Sequence, residues 1–224
     1  MGKLIVLEGL DGSGKGTQAQ QLFERLQQQG YPVKKVSFPN YESPFSIPLQ
    51  QYLGGALGTH ADAVNAYAAS VMFTIDRFAS FRQDWQEFYQ QGGIIIADRY
   101  TTSNAVHQCS KLPQQQWKEF TDWLFELEYE KVQIPKPDMV VYLSVDVEVS
   151  QHLLEKRYQG DEEKKDIHEK DVDYLNASRK AAQWCADALG WKTVQCTAHG
   201  EMRTVQEIAD EIYSLAKPLF LKEE

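Results

Sequence analysis

The run Gly9-Leu10-Asp11-Gly12-Ser13-Gly14-Lys15-Gly16-Thr17 sets a G-x-x-x-x-G-K pattern between an apolar stretch and an amphipathic one. Glycines at these positions let successive backbone amides close around phosphate oxygens, and Lys15 adds a positive point charge. The chemistry expected is the binding of a nucleotide's phosphates. A dinucleotide fingerprint fits less well, because its third glycine would fall where Thr17 stands. The strict pattern places Ser or Thr directly after the lysine, but Gly16 occupies that place and leaves Thr17 as the candidate hydroxyl toward a magnesium ion. A glycine-rich turn that merely opens a helix is the alternative reading.

Such a loop works only if a strand delivers it and a helix receives it. Leu4 to Leu7 is a continuous apolar run, the pattern of a parallel strand buried on both faces. From Gly14 to Gly30 the apolar residues Ala19, Leu22, Phe23 and Leu26 recur at helical spacing, and Gly30 supplies a stop. Further strands are predicted at Val33 to Phe38, Gly93 to Ala97, Met139 to Leu143 and Thr193 to Cys196. Helices are predicted within Ala61 to Gln91, around Trp117 to Leu127, and from Thr204 to Leu215. Alternating strands and helices imply a parallel sheet with right-handed crossovers, whose ligands bind beyond the carboxyl ends of the strands. Residues just after Leu7, Phe38 and Ala97 are therefore expected to face one site.

The chain has 224 residues, with 42% hydrophobic and 25% charged. No linker or repeat divides it, so a single domain over residues 1–224 is expected. No apolar run approaches the roughly 20 residues that span a bilayer, and the start is too short for a signal peptide, which predicts a cytoplasmic protein with no membrane partner. Cys109, Cys185 and Cys196 lack metal-type spacing and suit free thiols in a reducing compartment. A net charge of −9 disfavours nucleic acid as a partner, whereas a small basic pocket still accommodates one nucleotide.

In order along the chain, GLDGSGKGTQ, FPNY, MFTIDR, DRYTTSNAVHQ and KPDMVVYLSVD resemble segments of the thymidylate kinase family. The resemblance implies an α/β, P-loop NTPase fold: a five-stranded parallel sheet flanked by helices on both faces, with a mobile lid at about residues 156–168. It implies transfer of phosphate from ATP to dTMP with Mg2+, giving dTDP on the way to dTTP, by a homodimer. Val64, Tyr67, Ala68 and Val71 are candidates for either the subunit contact or the core.

Residue by residue, the resemblance implies that Gly9 to Thr17 hold ATP and that Phe73 stacks on thymine. Arg77 would bond the thymine carbonyl, because stacking alone tolerates every base. Asn104, beside Ser103, would complete recognition of the base edge, since an amide offers a donor and an acceptor. Asp11 would face the sugar, with His107 near it where many relatives carry Tyr, and Ser103 and Gln108 of the same segment would also bind the substrate. Tyr41 and Arg99 would hold the acceptor phosphate, Arg99 through paired guanidinium bonds. Asp98, ending an apolar strand, would organise magnesium. Read without the family, Phe73 is better taken as a core residue beside Val71 and Ile75, and Arg77 as a salt-bridge partner of Asp76 or Glu87.

The acceptor phosphate has a second pKa of about 6, so its oxygen attacks without losing a proton and no general base is required. The task is alignment and charge neutralisation by Lys15, Arg99 and magnesium. The phosphate loop carries no arginine, so a further cation must come from elsewhere, and Arg157 in the charged run Lys156 to Lys165 is the candidate. Adenylate kinase shares the Lys-Gly-Thr loop but fits the other segments less well. A GTP-binding switch would need an Asn-Lys-x-Asp motif that the sequence lacks, and a catalytically silent P-loop module is opposed by Lys15, Asp98 and Arg99.

Overall fold

Lys3–Glu8 forms β1, and its four apolar residues are fully buried although they alternate between two faces. Leu4 and Val6 pack with Trp85, Ile95 and Ala97 on one side, while Ile5 and Leu7 pack with Leu22, Leu26 and Ile212 on the other. A strand with both faces covered has no polar side to show, which is why its apolar run is unbroken. In this computed structural model, residues 1–60, 62–146, 149, 150, 153 and 172–220 are described. The expected lid and Arg157 lie outside them.

The remaining strands are β2 (Val33–Ser37), β3 (Ile94–Asp98), β4 (Met139–Ser144) and β5 (Lys192–Gln195). They form a five-stranded sheet in the order β2-β3-β1-β4-β5, with every pair parallel. Leu7 of β1 lies opposite Asp98 of β3, and Asp98 lies opposite Ser37 of β2. This register brings the loops after Leu7, Ser37 and Asp98 out at one edge, as the crossover argument predicts.

Helix α1 (Lys15–Gln28) starts directly from the glycine loop, and α2 (Ile47–Leu53) follows β2. Helix α3 (Ala66–Ser80) runs on through a π turn at Phe81–Trp85 into α4 (Gln86–Gln90). Helix α5 (Thr101–Cys109) follows β3, and α6 (Trp117–Phe125) continues into a second π turn at Glu126–Lys131. Helix α7 (Val172–Ala188) precedes β5, and α8 (Val205–Ala216) opens on a capping box between Thr204 and Glu207. The capping box satisfies two otherwise orphaned backbone donors and fixes the start of α8.

Two elements go beyond the sequence reading. Helix α2 is only seven residues long and begins with proline in its first turn, so it carries too few turns for a periodic signal. The hairpin β6 (Thr197–Ala198) and β7 (Glu201–Met202) pairs through two residues a side, turned by His199 and Gly200, both at positive φ. Two consecutive left-handed residues are what a tight hairpin turn requires.

Candidate functional site

The edge where β1, β2 and β3 end opens into a cavity of about 930 Å³. Residues 11 to 17 line one part of it, Pro39, Tyr41, Asp98 and Arg99 the middle, and Phe73, Arg77, Ser103, Asn104 and His107 another. The structure thus brings together most of the residues that the sequence singles out. Three stand back from it. Gly9 and Leu10 shape the loop from behind: a Cβ on Gly9 would fall 2.6 Å from Ser13 Oγ, and the Leu10 carbonyl accepts a 2.8 Å bond from Lys15 Nζ. Gln108 lies one turn beyond Asn104, about 6 Å further along α5, and is fully buried away from the cavity. Gln108 is thus not among the residues that line the cavity.

Lys15 is buried at the mouth of the loop, with its Nζ 3.9 Å from Asp11 Oδ1. Burial, with repulsion from Arg99, lowers its pKa to about 8, although Asp11, Asp98 and Glu8 oppose the shift. An anion beside it would favour the charged form and oppose that shift.

Arg99 sits at φ 67°, a left-handed backbone uncommon for a residue with a side chain. Its Nη2 donates to Asp11 Oδ1 at 2.5 Å, and its Nη1 donates to Ser103 Oγ at 3.2 Å and meets His107 Nε2 at 3.3 Å. Burial disfavours its charge, but Asp11, Glu8 and Asp98 outweigh that and raise its pKa. Tyr174 of α7 donates from its hydroxyl to the His107 carbonyl at 3.2 Å and lies 3.1 Å from Nδ1. The hydroxyl oxygen then accepts from Nδ1–H, which leaves Nε2 as the lone pair facing Arg99.

Sequence reasoning missed Glu8. It is 1% exposed, and its carboxylate accepts from Gly9 N, Thr102 Oγ1 and Ser103 Oγ while lying 3.8 Å from Arg99 Nη1. The signal was available: a carboxylate ends an otherwise apolar buried strand, where only a specific set of donors makes it tolerable. It links the phosphate loop, Arg99 and the start of α5 in one network.

The far part of the cavity forms a slot. Phe73 presents its ring there, braced edge-on by Tyr52 at 6.4 Å between centroids. The Tyr52 hydroxyl accepts from Lys111 Nζ, which also donates to the Val64 carbonyl. Arg77 is 1% exposed and pairs with Glu128, not with Asp76 or Glu87 as read without the family. Asp76 instead accepts from Asn40 N at 3.0 Å and holds the loop that carries Tyr41.

Asp98 and Thr17 offer a carboxylate and a hydroxyl on the cavity wall. A Cβ on Gly16 would approach Asp98 Oδ2 to 3.1 Å, so the glycine keeps the face of that carboxylate clear. No group of three or more His, Cys, Asp or Glu among the described residues could hold a metal alone. One or two hard oxygens beside a phosphate loop fit a magnesium ion that takes its other ligands from water and phosphate. Beyond the loop the cavity is closed by Met202, Arg203 and Val205, contributed by the hairpin and the start of α8.

Comparison with known proteins gives a consistent result. A family model described as thymidylate kinase matches residues 7–208. The chain is 30% identical over 190 residues to a thymidylate kinase of Mycobacterium tuberculosis, covering 84% of this chain and 87% of that protein. It is 29% identical over 223 residues to one from Caenorhabditis elegans, covering 95% and 90%. A solved structure of thymidylate kinase from Candida albicans superposes with a TM-score of 0.71 at 23% identity, covering 97% of this chain and 92% of the other.

Proposed function

This chain belongs to the thymidylate kinase family and transfers a phosphoryl group from ATP to dTMP, giving dTDP and ADP, and we propose the residue roles by which it does so. The observation that carries them is the single cavity with the phosphate loop in one part, the Phe73 slot in another and Arg99 in between. The loop amides and Lys15 hold the ATP phosphates. Phe73 stacks on the base, Arg77 and Asn104 read its edge, and Tyr41 and Arg99 hold the acceptor phosphate.

The acceptor oxygen is already deprotonated at neutral pH, so the protein's work is to align two polyanions and neutralise them. Lys15 neutralises charge on the donor. Arg99 is held by Asp11, Ser103 and His107 until an acceptor phosphate competes for its guanidinium. Asp11, on the same wall of the cavity, accepts from the sugar hydroxyl. Asp98 and Thr17 would hold Mg2+, which supplies charge neutralisation across the donor phosphates when bound. Arg157, which lies outside the described residues, is the candidate for the further cation that the transfer calls for.

The protein acts as a single-domain homodimer in the cytoplasm. One face of α3 supports the dimer: Tyr67, Val71, Ile75 and Phe78 are 39 to 45% exposed at helical spacing. No helix among the described residues is long and apolar enough to cross a membrane, and Cys109, Cys185 and Cys196 are free thiols, which suits a reducing compartment.

The test is turnover of dTMP, dUMP, UMP, CMP, AMP and GMP, each with ATP and magnesium, read by ADP release. Preference for dTMP is expected. Preference for AMP would keep the phosphate loop chemistry and remove the roles given to Phe73, Arg77 and Asn104.

A further inference from the structure

Glu128 is fully buried, yet it is a carboxylate on the same stripe of α6 and its π turn as Trp117, Thr121 and Leu124. Four donors converge on its two oxygens. Oε1 accepts from Thr74 Oγ1 at 2.8 Å and from Arg77 Nη2; Oε2 accepts from Arg77 Nε at 2.8 Å and Thr101 Oγ1 at 2.6 Å. Thr74 and Arg77 belong to α3 and Thr101 to α5, so one carboxylate ties together the two helices that wall the slot. Burial alone would disfavour the Arg77 charge, and Glu128 more than offsets it.

The consequence is directional. A guanidinium has three nitrogens, and Glu128 occupies two of them. Nη1 is left without a protein acceptor among the described residues, on a side chain that lines the slot. Nearby, Asn104 Nδ2 donates to the Ser70 carbonyl at 3.4 Å, which turns its Oδ1 away as an acceptor. Glu128 takes one N–H each from Nε and Nη2, so the slot meets a remaining guanidinium donor face and an amide oxygen acceptor. That pair complements a pyrimidine edge with a C4 carbonyl and a protonated N3. A C4 amino group would face the arginine donor, and an unprotonated N3 would face the amide oxygen, leaving buried groups unpaired.

We infer that Glu128 is a specificity-determining positioning residue: by fixing the Arg77 guanidinium as a donor face beside Asn104, it makes the kinase accept 4-oxo pyrimidine nucleotides and refuse 4-amino ones. The inference rests on the assignment of the Phe73, Arg77 and Asn104 slot to the base. Glu128 touches no substrate and acts through Arg77.

The experiment compares wild type with Glu128→Gln, Glu128→Asp and Arg77→Met. It measures kcat and KM for dTMP, KM for ATP and the competitive inhibition constant of dCMP, with thermal melts to verify folding. In E128Q the dTMP KM is expected to rise about tenfold or more, and the preference for dTMP over dCMP to fall by about tenfold, with ATP KM within about twofold. E128D, which retains the charge, should lie between wild type and E128Q, and it carries the test if E128Q does not fold. Equal rises in the dTMP and ATP constants with an unchanged dTMP-to-dCMP preference would reduce Glu128 to a structural residue and overturn the inference. If R77M also leaves dTMP KM unchanged, the base slot itself is misassigned; if R77M changes it while E128D and E128Q leave the preference intact, the slot stands and only the role of Glu128 falls.

Discussion

Arg99 Nη2 donates to Asp11 Oδ1 at 2.5 Å, so the guanidinium after β3 is tied to the glycine loop after β1. The pair closes a ring of contacts from β1 through the phosphate loop to the start of α5, with Glu8 beneath it. A substrate phosphate entering between them exchanges a carboxylate partner for a phosphate one, a swap of similar charge-assisted bonds.

Removal of Arg99 should therefore appear in turnover. Arg99→Ala is expected to lower kcat by about 10³-fold, the scale of an arginine that stabilises transferring phosphate, with a smaller rise in KM for dTMP. Steady-state kinetics at saturating ATP check this. A change confined to KM would mean that Arg99 only binds substrate.

Lys15 predicts a pH dependence. Its folded pKa lies near about 8, below the ordinary 10.5, so free enzyme loses the ammonium as pH rises through about 8. The kcat/KM for ATP should decline across that window, since this parameter reports free-enzyme ionisations. Bound phosphates favour the charged form, so the decline in kcat should begin at higher pH. Profiles from pH 6 to 10 that fall together for both parameters would contradict this.

In the proposed role Phe73 supplies contact without edge reading. Phe73→Ala should raise KM for dTMP by about tenfold, within the roughly 1–3 kcal/mol that a base–aromatic stack contributes, and leave kcat nearly unchanged. The Tyr52 ring and Lys111 brace that phenyl group, so Tyr52→Leu should act in the same direction more weakly. Titration with dTMP by calorimetry separates this loss from any effect on chemistry.

Much of this site was legible because local rules carried it. The G-x-x-x-x-G-K spacing, the unbroken apolar run Leu4 to Leu7 and the acidic end of Ile94–Asp98 each specify their neighbourhood within a few residues. Glu8 and Glu128 were not assigned, because their meaning lies in donors 94 and 51 positions away, at Thr102 and Arg77. A buried carboxylate is visible in sequence as a charge on an apolar stripe, but its partners depend on how helices cross. The wall formed by Met202, Arg203 and Val205 was missed for a related reason: β6 and β7 are two residues each, too short for any period. Gln108, placed among the substrate contacts by family order alone, is buried outside the cavity lining.

Asp98 should govern magnesium. Asp98→Asn is expected to weaken the magnesium dependence of ADP binding by about tenfold, because a neutral amide replaces the carboxylate that faces Gly16 and Thr17 across the cavity wall. Calorimetry of ADP binding with and without magnesium reads this directly. A variant that responds to magnesium as wild type does would leave the ion to phosphate and water alone.

The same helix that holds Phe73 and Arg77 toward the cavity shows Tyr67, Val71, Ile75 and Phe78 to solvent. Each is about two-fifths exposed, and their spacing of four, four and three residues keeps them on one stripe. A second copy of the chain would cover that stripe and withdraw it from water at both subunits at once, as a two-fold contact does. Val71→Asp with Ile75→Asp places two charges at its centre, where neither would be paired, and should dissociate the dimer with little loss of helix. Sedimentation velocity should then show a single species of monomer mass, against a dimer for wild type. Because α3 also carries the base slot, the separated subunits should bind dTMP more weakly while retaining ADP affinity. A monomeric wild type would remove the dimer from the proposal and leave the catalytic assignments intact.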